Sequence, residues 1–298
     1  MRSSVTALLA AAASAALLLG CASSERVRVE SARLIPEQLV TLGPELQESS
    51  GLARYAGRIW SMNDSEGEPE LIWLELSSGR SGRLALQGAV NFDWEALAQS
   101  DDQLYLLDCG NNRGDRIWLQ LYSVPLDQLT RAQAEVQRSD FRWGDVDYQV
   151  ARRAHNNDCE AASWIGNELW LFTKNWQDEQ SRIYRMQPGV DRQQLTSEQS
   201  INVGGLITGA DYNAELQMLA LLGYGKGLRV LQPFIWLAPL VDGELQWSLA
   251  KRFDLAESGQ WEAVVWQDDE LLLSREESIL GGAAIAKLRL PRSALRHK

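Results

Sequence analysis

The sequence contains an internal repeat whose unit recurs five times, and this repeat constrains the fold more than any other feature. Each copy opens with a small or acidic residue, runs through apolar residues to a polar turn, and returns through a second apolar run. The turn lies 7 to 9 residues after the opening residue, or one residue earlier in the fourth copy. We call the five opening residues the anchors: Ser50, Glu95, Glu160, Thr208 and Glu262. Repetition at a fixed period is typical of propellers and other repeat architectures.

Each copy predicts a β-hairpin, because two apolar runs of about five or six residues around a polar turn are typical of paired strands. A third apolar run follows in every copy and ends at turn residues: 71–76, 117–122, 182–186, 234–237 and 284–288. The anchors are 45, 65, 48 and 54 residues apart, which fits four-stranded propeller blades. We therefore predict an all-β protein, a five-bladed β-propeller of four-stranded blades. Six blades is the alternative, with the extra blade in the longest interval.

A lone apolar run at residues 38–42 precedes the first copy, while the last copy has too little chain left for a fourth strand. We predict that this N-terminal strand completes the last blade, which closes the ring and removes an exposed sheet edge. The predicted propeller domain is residues 37–298. Most of the twelve tryptophans lie in the repeat runs, which favours packing between blades.

The longest interval leaves the fourth strand of blade 2 open. Residues 131–140 are polar and predict a loop or a short helix. Either of the two runs that follow, 141–143 or 146–150, fits the fourth strand.

The N-terminus resembles a bacterial lipoprotein signal. Residues 1–20 contain one early arginine, an apolar run and then Leu18-Leu19-Gly20-Cys21, so we predict that residues 1–20 are removed and that Cys21 carries acyl chains such as palmitate. The alternative, a transmembrane anchor, is disfavoured because about 15 apolar residues are fewer than the roughly 20 that a span needs. Residues 21–36 are predicted to tether the domain to the lipid. Ala22 after the cysteine resembles lipoproteins sorted to the outer membrane, facing the periplasm or the cell surface.

Composition excludes several function classes. The net charge of −11 disfavours binding to nucleic acid, which needs basic side chains to neutralise phosphates. The two histidines, His155 and His297, are too few and too far apart to suggest a zinc site or a Ser-His-Asp triad. We expect a monomer.

The cysteines predict one disulfide. If Cys21 carries lipid, an even pair remains in an oxidising compartment. Cys109 follows the returning strand of blade 2 and Cys159 precedes the anchor of blade 3, so both fall at the same end of adjacent blades. Two free thiols is the alternative, because the sequence does not give the distance between the two residues.

The anchors should converge around the propeller axis, because all blades run in the same direction. The ends of the returning strands should form a second ring just outside them, which includes Asn63 with Asp64, Asp108, Lys174 and Glu276. Three carboxylates directed at one axis repel each other unless a cation or protonation neutralises them. Carboxylates and hydroxyls are the oxygen ligands that calcium takes. The sequence therefore predicts calcium on the axis, bound by Glu95, Glu160 and Glu262 with help from Ser50 and Thr208.

At these positions the sequence resembles the five-bladed calcium-dependent apyrases, the calcium-activated nucleotidases. The matching motifs are Glu48-Ser49-Ser50-Gly51-Leu52, Asp93-Trp94-Glu95, Asp158-Cys159-Glu160, Thr208-Gly209 and Trp261-Glu262. The resemblance implies a central calcium held by the anchors, with Thr208 in place of a serine. The long inserts that form the nucleotide pocket of the apyrases are missing, and Asn63-Asp64 stands where they carry paired aspartates.

The motifs Ser50-Gly51-Leu52-Ala53 and Asn63-Asp64-Ser65-Glu66-Gly67 also resemble uncharacterised bacterial secreted propeller lipoproteins, some grouped with phytase-like esterases. Two functions therefore stay open. The first is a cell-envelope lipoprotein that holds a ligand or an envelope partner on the face of the propeller that carries the anchors. The alternative is a calcium-dependent phosphohydrolase, nucleotidase- or phytase-like, in which Asp64, Asp108 or Glu276 positions water and Lys174 and Arg275 bind phosphate.

Overall fold

The chain forms a five-bladed β-propeller in this computed structural model, which describes residues 30–65, 67–225 and 231–296. From the axis outward, blade 1 contains Ser49–Tyr55, Arg58–Asn63, Glu70–Glu75 and Arg80–Gln87, and blade 2 contains Trp94–Gln99, Gln103–Asp108, Leu119–Pro125 and Gln137–Trp143. Blade 3 contains Asp158–Ile165, Glu168–Lys174, Ser181–Met186 and Gln199–Ile201, and blade 4 contains Leu206–Asn213, Met218–Gly225, Gln232–Val241 and Lys251–Asp254. Blade 5 contains Trp261–Gln267, Glu270–Arg275, Ala284–Arg289 and the N-terminal strand Glu37–Thr41. The five-bladed prediction is confirmed.

The ring closes between the two ends of the described chain. Glu37–Thr41 pairs antiparallel with Ala284–Arg289, so the N-terminal strand is the fourth strand of blade 5, as predicted. The remaining short elements are the strands Gln133–Glu135, Gln193–Leu195 and Glu244–Leu245, and the 3-10 turns Pro44–Leu46, Leu126–Thr130 and Trp247–Leu249. Within the described ranges no helix is long and apolar enough to cross a membrane.

The core consists of one apolar cluster at each junction between neighbouring blades. Tryptophans fill these junctions, and Trp60, Trp94, Trp143 and Trp261 are almost completely buried. Each such ring removes roughly 150–250 Å² from water, so the tryptophans account for much of the packing between blades. The smallest cluster, around Leu52 and Val265, lies at the seam between blades 5 and 1.

Outer edges are covered by chain from the next blade. Gln133–Glu135, on the way to the fourth strand of blade 2, pairs parallel with the fourth strand of blade 1, and Gln193–Leu195 does the same for blade 2. Residues 30–34 cover blade 4 in the same way, since Leu34 forms a parallel bridge with Leu255. Covering an edge in this way prevents pairing with other chains.

These edge strands correct two predictions. Residues 131–140, predicted as a loop or short helix, contain the edge strand and the start of Gln137–Trp143, which is the fourth strand of blade 2; residues 146–150 form a loop. The predicted tether, residues 21–36, overlaps the propeller from Glu30 onward, because Glu30 N–H donates to Arg252 O. Cys21 and the predicted signal peptide, residues 1–20, lie outside the described residues.

Candidate functional site

Every anchor is the extra residue of a β-bulge in the innermost strand of its blade. Pairing with the second strand skips one residue between Ser49 and Gly51, Trp94 and Ala96, Cys159 and Ala161, Ile207 and Gly209, and Trp261 and Ala263. A bulge redirects the side chain of the extra residue. Five bulges in one register explain why the repeat was visible in the sequence, and they place the anchors around the axis.

The anchors lie buried at the axis, near the end where the innermost strands begin, which we call the top face. Four of them, all except Glu262, line a narrow cavity of about 10 Å³, a volume that holds about one water. The hydroxyl anchors join neighbouring blades: Ser50 Oγ donates to Trp94 O at 2.8 Å and Thr208 Oγ1 donates to Trp261 O at 2.8 Å. Each acceptor immediately precedes the anchor of the next blade, so the two hydroxyls play equivalent roles.

Lys174 supplies a cation to this ring. Its Nζ lies 2.9 Å from Glu160 Oε2, and both side chains are buried. Burial opposes the charge on Lys174, but Glu160, Tyr224 and Glu262 outweigh it and hold the pKa of the ammonium well above its usual value. Burial also raises the pKa of Glu95 and of Glu262, because little water is left to stabilise their charged forms. Lys174 was expected in a second ring outside the anchors; instead its ammonium lies among them.

The anchors match calcium in ligand type but not in arrangement. One Glu160 oxygen is taken by Lys174, and the hydroxyls of Ser50 and Thr208 are directed at backbone carbonyls. Within the described ranges, no group of three or more His, Cys, Asp or Glu side chains is placed to hold a metal ion. Calcium takes six to eight oxygen ligands. The described residues therefore do not fit a calcium ion while Lys174 is paired with Glu160, and calcium stays a prediction.

The other residues predicted for catalysis are held by structural contacts. Asp108 is buried, binds Arg116 Nη2 at 2.6 Å and accepts the backbone N–H of Phe92 and of Asp93. Glu276 accepts a hydrogen bond from Gln260 at 3.0 Å, and burial raises its pKa to about 9.

Two further candidates lie at the same end of the propeller. Asp64 accepts the backbone N–H of Ser65. Arg275 donates to Gly282 O and pairs with Glu257. These contacts tie Arg275 to a neighbouring loop and a nearby carboxylate, rather than leaving it directed at a shared phosphate position.

The predicted disulfide is confirmed. Cys109 and Cys159 are bonded, with their Cα atoms 5.4 Å apart. Cys159 directly precedes the anchor Glu160, and Cys109 follows the second strand of blade 2. The bond therefore fixes blades 2 and 3 to each other beside the axis.

A cavity that the sequence did not predict opens on the top face between blades 1 and 2. Its volume is about 560 Å³, within the range of small-molecule sites. It is lined by Ser65, Asn91, Phe92, Asp93, Asn111, Asn112, Arg113, Asp115, Arg116 and Arg152. The available signal was the polar loop at residues 110–116, directly after a returning strand.

The cavity adjoins the axial ring. A Cβ added at Gly110 would lie 2.4 Å from Asp93 Oδ2 and 2.5 Å from Glu95 Oε1, so both carboxyl groups pack over this glycine. Burial and the nearby Asp158 raise the pKa of Asp93 to about 7, while Arg116 opposes the shift. Any larger side chain at position 110 would displace the two carboxyl groups.

The sequence matches no protein-family model and no curated protein. The fold is similar to the allergen Mala s 1 of Malassezia sympodialis, with 11% identity, coverage of 87% of this chain and 95% of that chain, and a TM-score of 0.50. It is also similar to regucalcin of Agrobacterium tumefaciens, described as a calcium-binding protein, with 15% identity, coverage of 87% and 96%, and a TM-score of 0.43.

A further match is hydrazine synthase of Kuenenia stuttgartiensis, with 10% identity, 79% of this chain covered and a TM-score of 0.42. The chain spans 58% of the length of that hydrazine synthase chain. At these identities the likeness shows the fold alone, and one fold supports many functions.

Proposed function

We propose that this protein is a cell-envelope lipoprotein whose propeller binds a ligand on its top face without converting it. The observation that carries the proposal is the cavity of about 560 Å³ between blades 1 and 2. Ligand sites are concave, largely preformed and few in each protein, and this cavity lies beside the buried axial ring. The lipid anchor at Cys21 rests on the signal-like residues 1–20, and it would hold the domain at the membrane.

The ionisable groups beside the cavity favour binding over hydrolysis. A phosphohydrolase needs a free carboxylate or a metal ion to position water, together with cationic groups at the phosphate. Lys174 is paired with Glu160, and Arg116 is paired with Asp108. Since these two cations already neutralise buried carboxylates, moving them to a phosphate would leave buried negative charge unpaired.

The proposed ligand binding does not involve calcium. Binding at the axis would require calcium to displace the Lys174 ammonium from Glu160. The cavity and its lining are formed without that change.

The test is a ligand screen by thermal shift on the domain from residue 22 onward, run in parallel with phosphate release from nucleotides and phytate. The panel contains saccharides, amino acids, nucleotides and phytate. Ser65→Trp places a large side chain in the top cavity. Ala214→Trp places one in the cavity of about 370 Å³ at the opposite end of the axis and is the matched control.

We expect at least one compound to raise the melting temperature of the wild type and of Ala214→Trp but not of Ser65→Trp. Phosphate release should stay at background. Turnover of a phosphate ester that Ser65→Trp abolishes would overturn the proposal in favour of the hydrolase. If the rise in melting temperature is lost only in Ala214→Trp, the ligand binds at the opposite face instead.

A further inference from the structure

Two amide oxygens in the wall of the top cavity have unused hydrogen-bonding capacity. Asn91 Oδ1 and Asn112 Oδ1 are buried atoms without a hydrogen-bond partner among the residues that the structure describes. Leaving a buried polar atom unpaired costs about 1–3 kcal/mol, and such atoms in a folded protein call for a specific explanation. Both residues line the same cavity.

The side chain of Asn91 and the backbone of Asn112 are held in place by neighbouring contacts. Asn91 is 9% exposed, and its Nδ2 donates to Asn63 O at 3.1 Å. This bond fixes the orientation of the amide, because turning it over would bring Oδ1 against a carbonyl oxygen.

The backbone of Asn112 is held from the neighbouring loop. Asn112 O accepts the backbone N–H of Arg153 at 3.2 Å and faces His155 Nε2 at 3.2 Å. His155 Nδ1 accepts the N–H of Asn157, so Nε2 carries the proton and donates. The Asn91 amide and the Asn112 backbone are therefore fixed in the cavity wall, and both Oδ1 atoms are covered from solvent.

Phe92 provides an apolar surface in the same cavity as the two asparagines. It is 61% exposed, although its backbone N–H is bound to the buried Asp108. The Arg116 guanidinium lies over the ring, 4.5 Å from its centroid, which fixes one face of the ring. A flat apolar surface next to fixed polar groups suits a ligand with both C–H faces and hydroxyl groups.

Two arginines and one aspartate, Asp115, lie exposed at the rim of the cavity. Arg113 and Arg152 are exposed and line the cavity. Neither has a carboxylate partner within the part of the chain that the structure describes, unlike Arg116, which binds Asp108. A guanidinium group binds carboxylate in a bidentate manner, so these two side chains favour a ligand with an acidic group.

We propose that the top cavity binds an acidic saccharide, with a sugar face against Phe92, a carboxylate at Arg113 and Arg152, and hydroxyl groups against the polar lining. Sugar hydroxyls donate and accept at once, which matches a lining that combines carboxylate, amide and guanidinium groups. This inference names the ligand class for the proposed function and rests on it.

The test is isothermal titration calorimetry on the disulfide-bonded domain from residue 22 onward. The probes are short oligomers of glucuronate, galacturonate and mannuronate, each with the neutral oligomer of the same linkage. We expect at least one acidic oligomer to bind at least tenfold more tightly than its neutral counterpart.

Variants assign the contacts. Arg113→Ala with Arg152→Ala should reduce the preference for the acidic oligomer to less than threefold, and Phe92→Ala should weaken both oligomers at least fivefold. The matched control is Arg80→Ala with Arg131→Ala, which removes the same charge from exposed positions outside the cavity and should leave the affinity unchanged.

Three outcomes would overturn the inference. These are no binding of any acidic oligomer to folded protein at millimolar concentration, equal affinity for acidic and neutral oligomers, and the same loss of affinity in the control variant. If the thermal-shift screen still finds another compound at the top face, the proposed function stands and only the saccharide assignment falls. If Ser65→Trp abolishes turnover of a phosphate ester, the proposed function itself fails.

Discussion

The two carboxylate oxygens of Glu160 differ in their contacts. Oε2 lies 2.9 Å from Lys174 Nζ, whereas Oε1 is buried without a hydrogen-bond partner among the described residues. The ion pair is therefore the main compensation for a charge that has lost most of its water.

Removing Lys174 should destabilise the fold strongly. We expect Lys174→Met to lower the free energy of unfolding by about 3–5 kcal/mol, because it leaves a buried carboxylate unpaired. The double variant Lys174→Met with Glu160→Gln should be more stable than Lys174→Met alone. Lys287→Met removes an ion pair of 3.6 Å with Glu270 whose side chains are partly exposed, and it should cost less than about 1 kcal/mol. Urea unfolding measures all three, and a Lys174→Met variant as stable as the wild type would contradict the role of the pair.

Calcium should not stabilise the wild-type protein. Since Lys174 already neutralises the ring, we expect the same melting temperature in excess calcium and in excess chelator. The melting temperature of Lys174→Met should rise with calcium concentration. Its carboxylates, no longer paired with a lysine, can then bind a divalent cation in the folded state only. A concentration-dependent rise in the wild type would instead support the calcium site predicted from the sequence.

Asp211 should make stability depend on pH. Burial raises its pKa to about 7, although the N–H groups of Trp266 and Tyr212 and the charge of Arg54 oppose the shift. The folded state thus retains a proton that the unfolded state loses above about pH 4. The stabilisation of the folded state by this proton is therefore fully present below pH 4 and is lost as the pH rises towards 7.

Between pH 4.5 and 7.5 we expect the wild type to lose about 3 kcal/mol more than Asp211→Asn. The asparagine keeps an acceptor for the Trp266 N–H, which donates to Asp211 Oδ2 at 2.7 Å. Asp101→Asn, at an exposed turn, should behave like the wild type. Equal pH dependence in the wild type and Asp211→Asn would remove Asp211 as the cause.

The disulfide should stabilise the junction of blades 2 and 3. Cys109 and Cys159 are 50 residues apart in sequence, and closing a loop of that length is worth about 2–4 kcal/mol. We expect the double Cys→Ser variant to lose stability in this range while its circular dichroism spectrum stays that of a β protein. Peptide mapping without reduction should show the two peptides linked; finding both thiols free would reject the bond.

Much of the fold was predictable because the repeat encodes backbone position. The anchors and the hairpins follow from residues that recur at one offset in successive blades, and the closing strand and the Cys109–Cys159 pair follow from where residues 38–42 and the two cysteines fall relative to that repeat. In a propeller, residues at the same offset lie at the same height and distance from the axis. The spacing in the sequence therefore predicts their positions in the fold.

The direction of side chains was not predictable in this way. Lys174 shares its offset with Asp64, Cys109 and Glu276, and spacing alone did not show that the long lysine side chain turns inward to Glu160. The edge strands were missed because three residues are too few to show an alternating pattern. The top cavity was missed because Asn91 and Asn112 belong to different loops, which only the folded ring brings together.

The seam between blades 5 and 1 has a consequence for the order of folding. Glu37 pairs with Lys287, so closure waits until almost the whole chain has been synthesised. Contacts over such a sequence separation form slowly, since the entropy of bringing the ends together is lost before any packing is gained. The first blades can collapse earlier around their own tryptophans, and the terminal strand then converts an open row of blades into a ring in a late, concerted step.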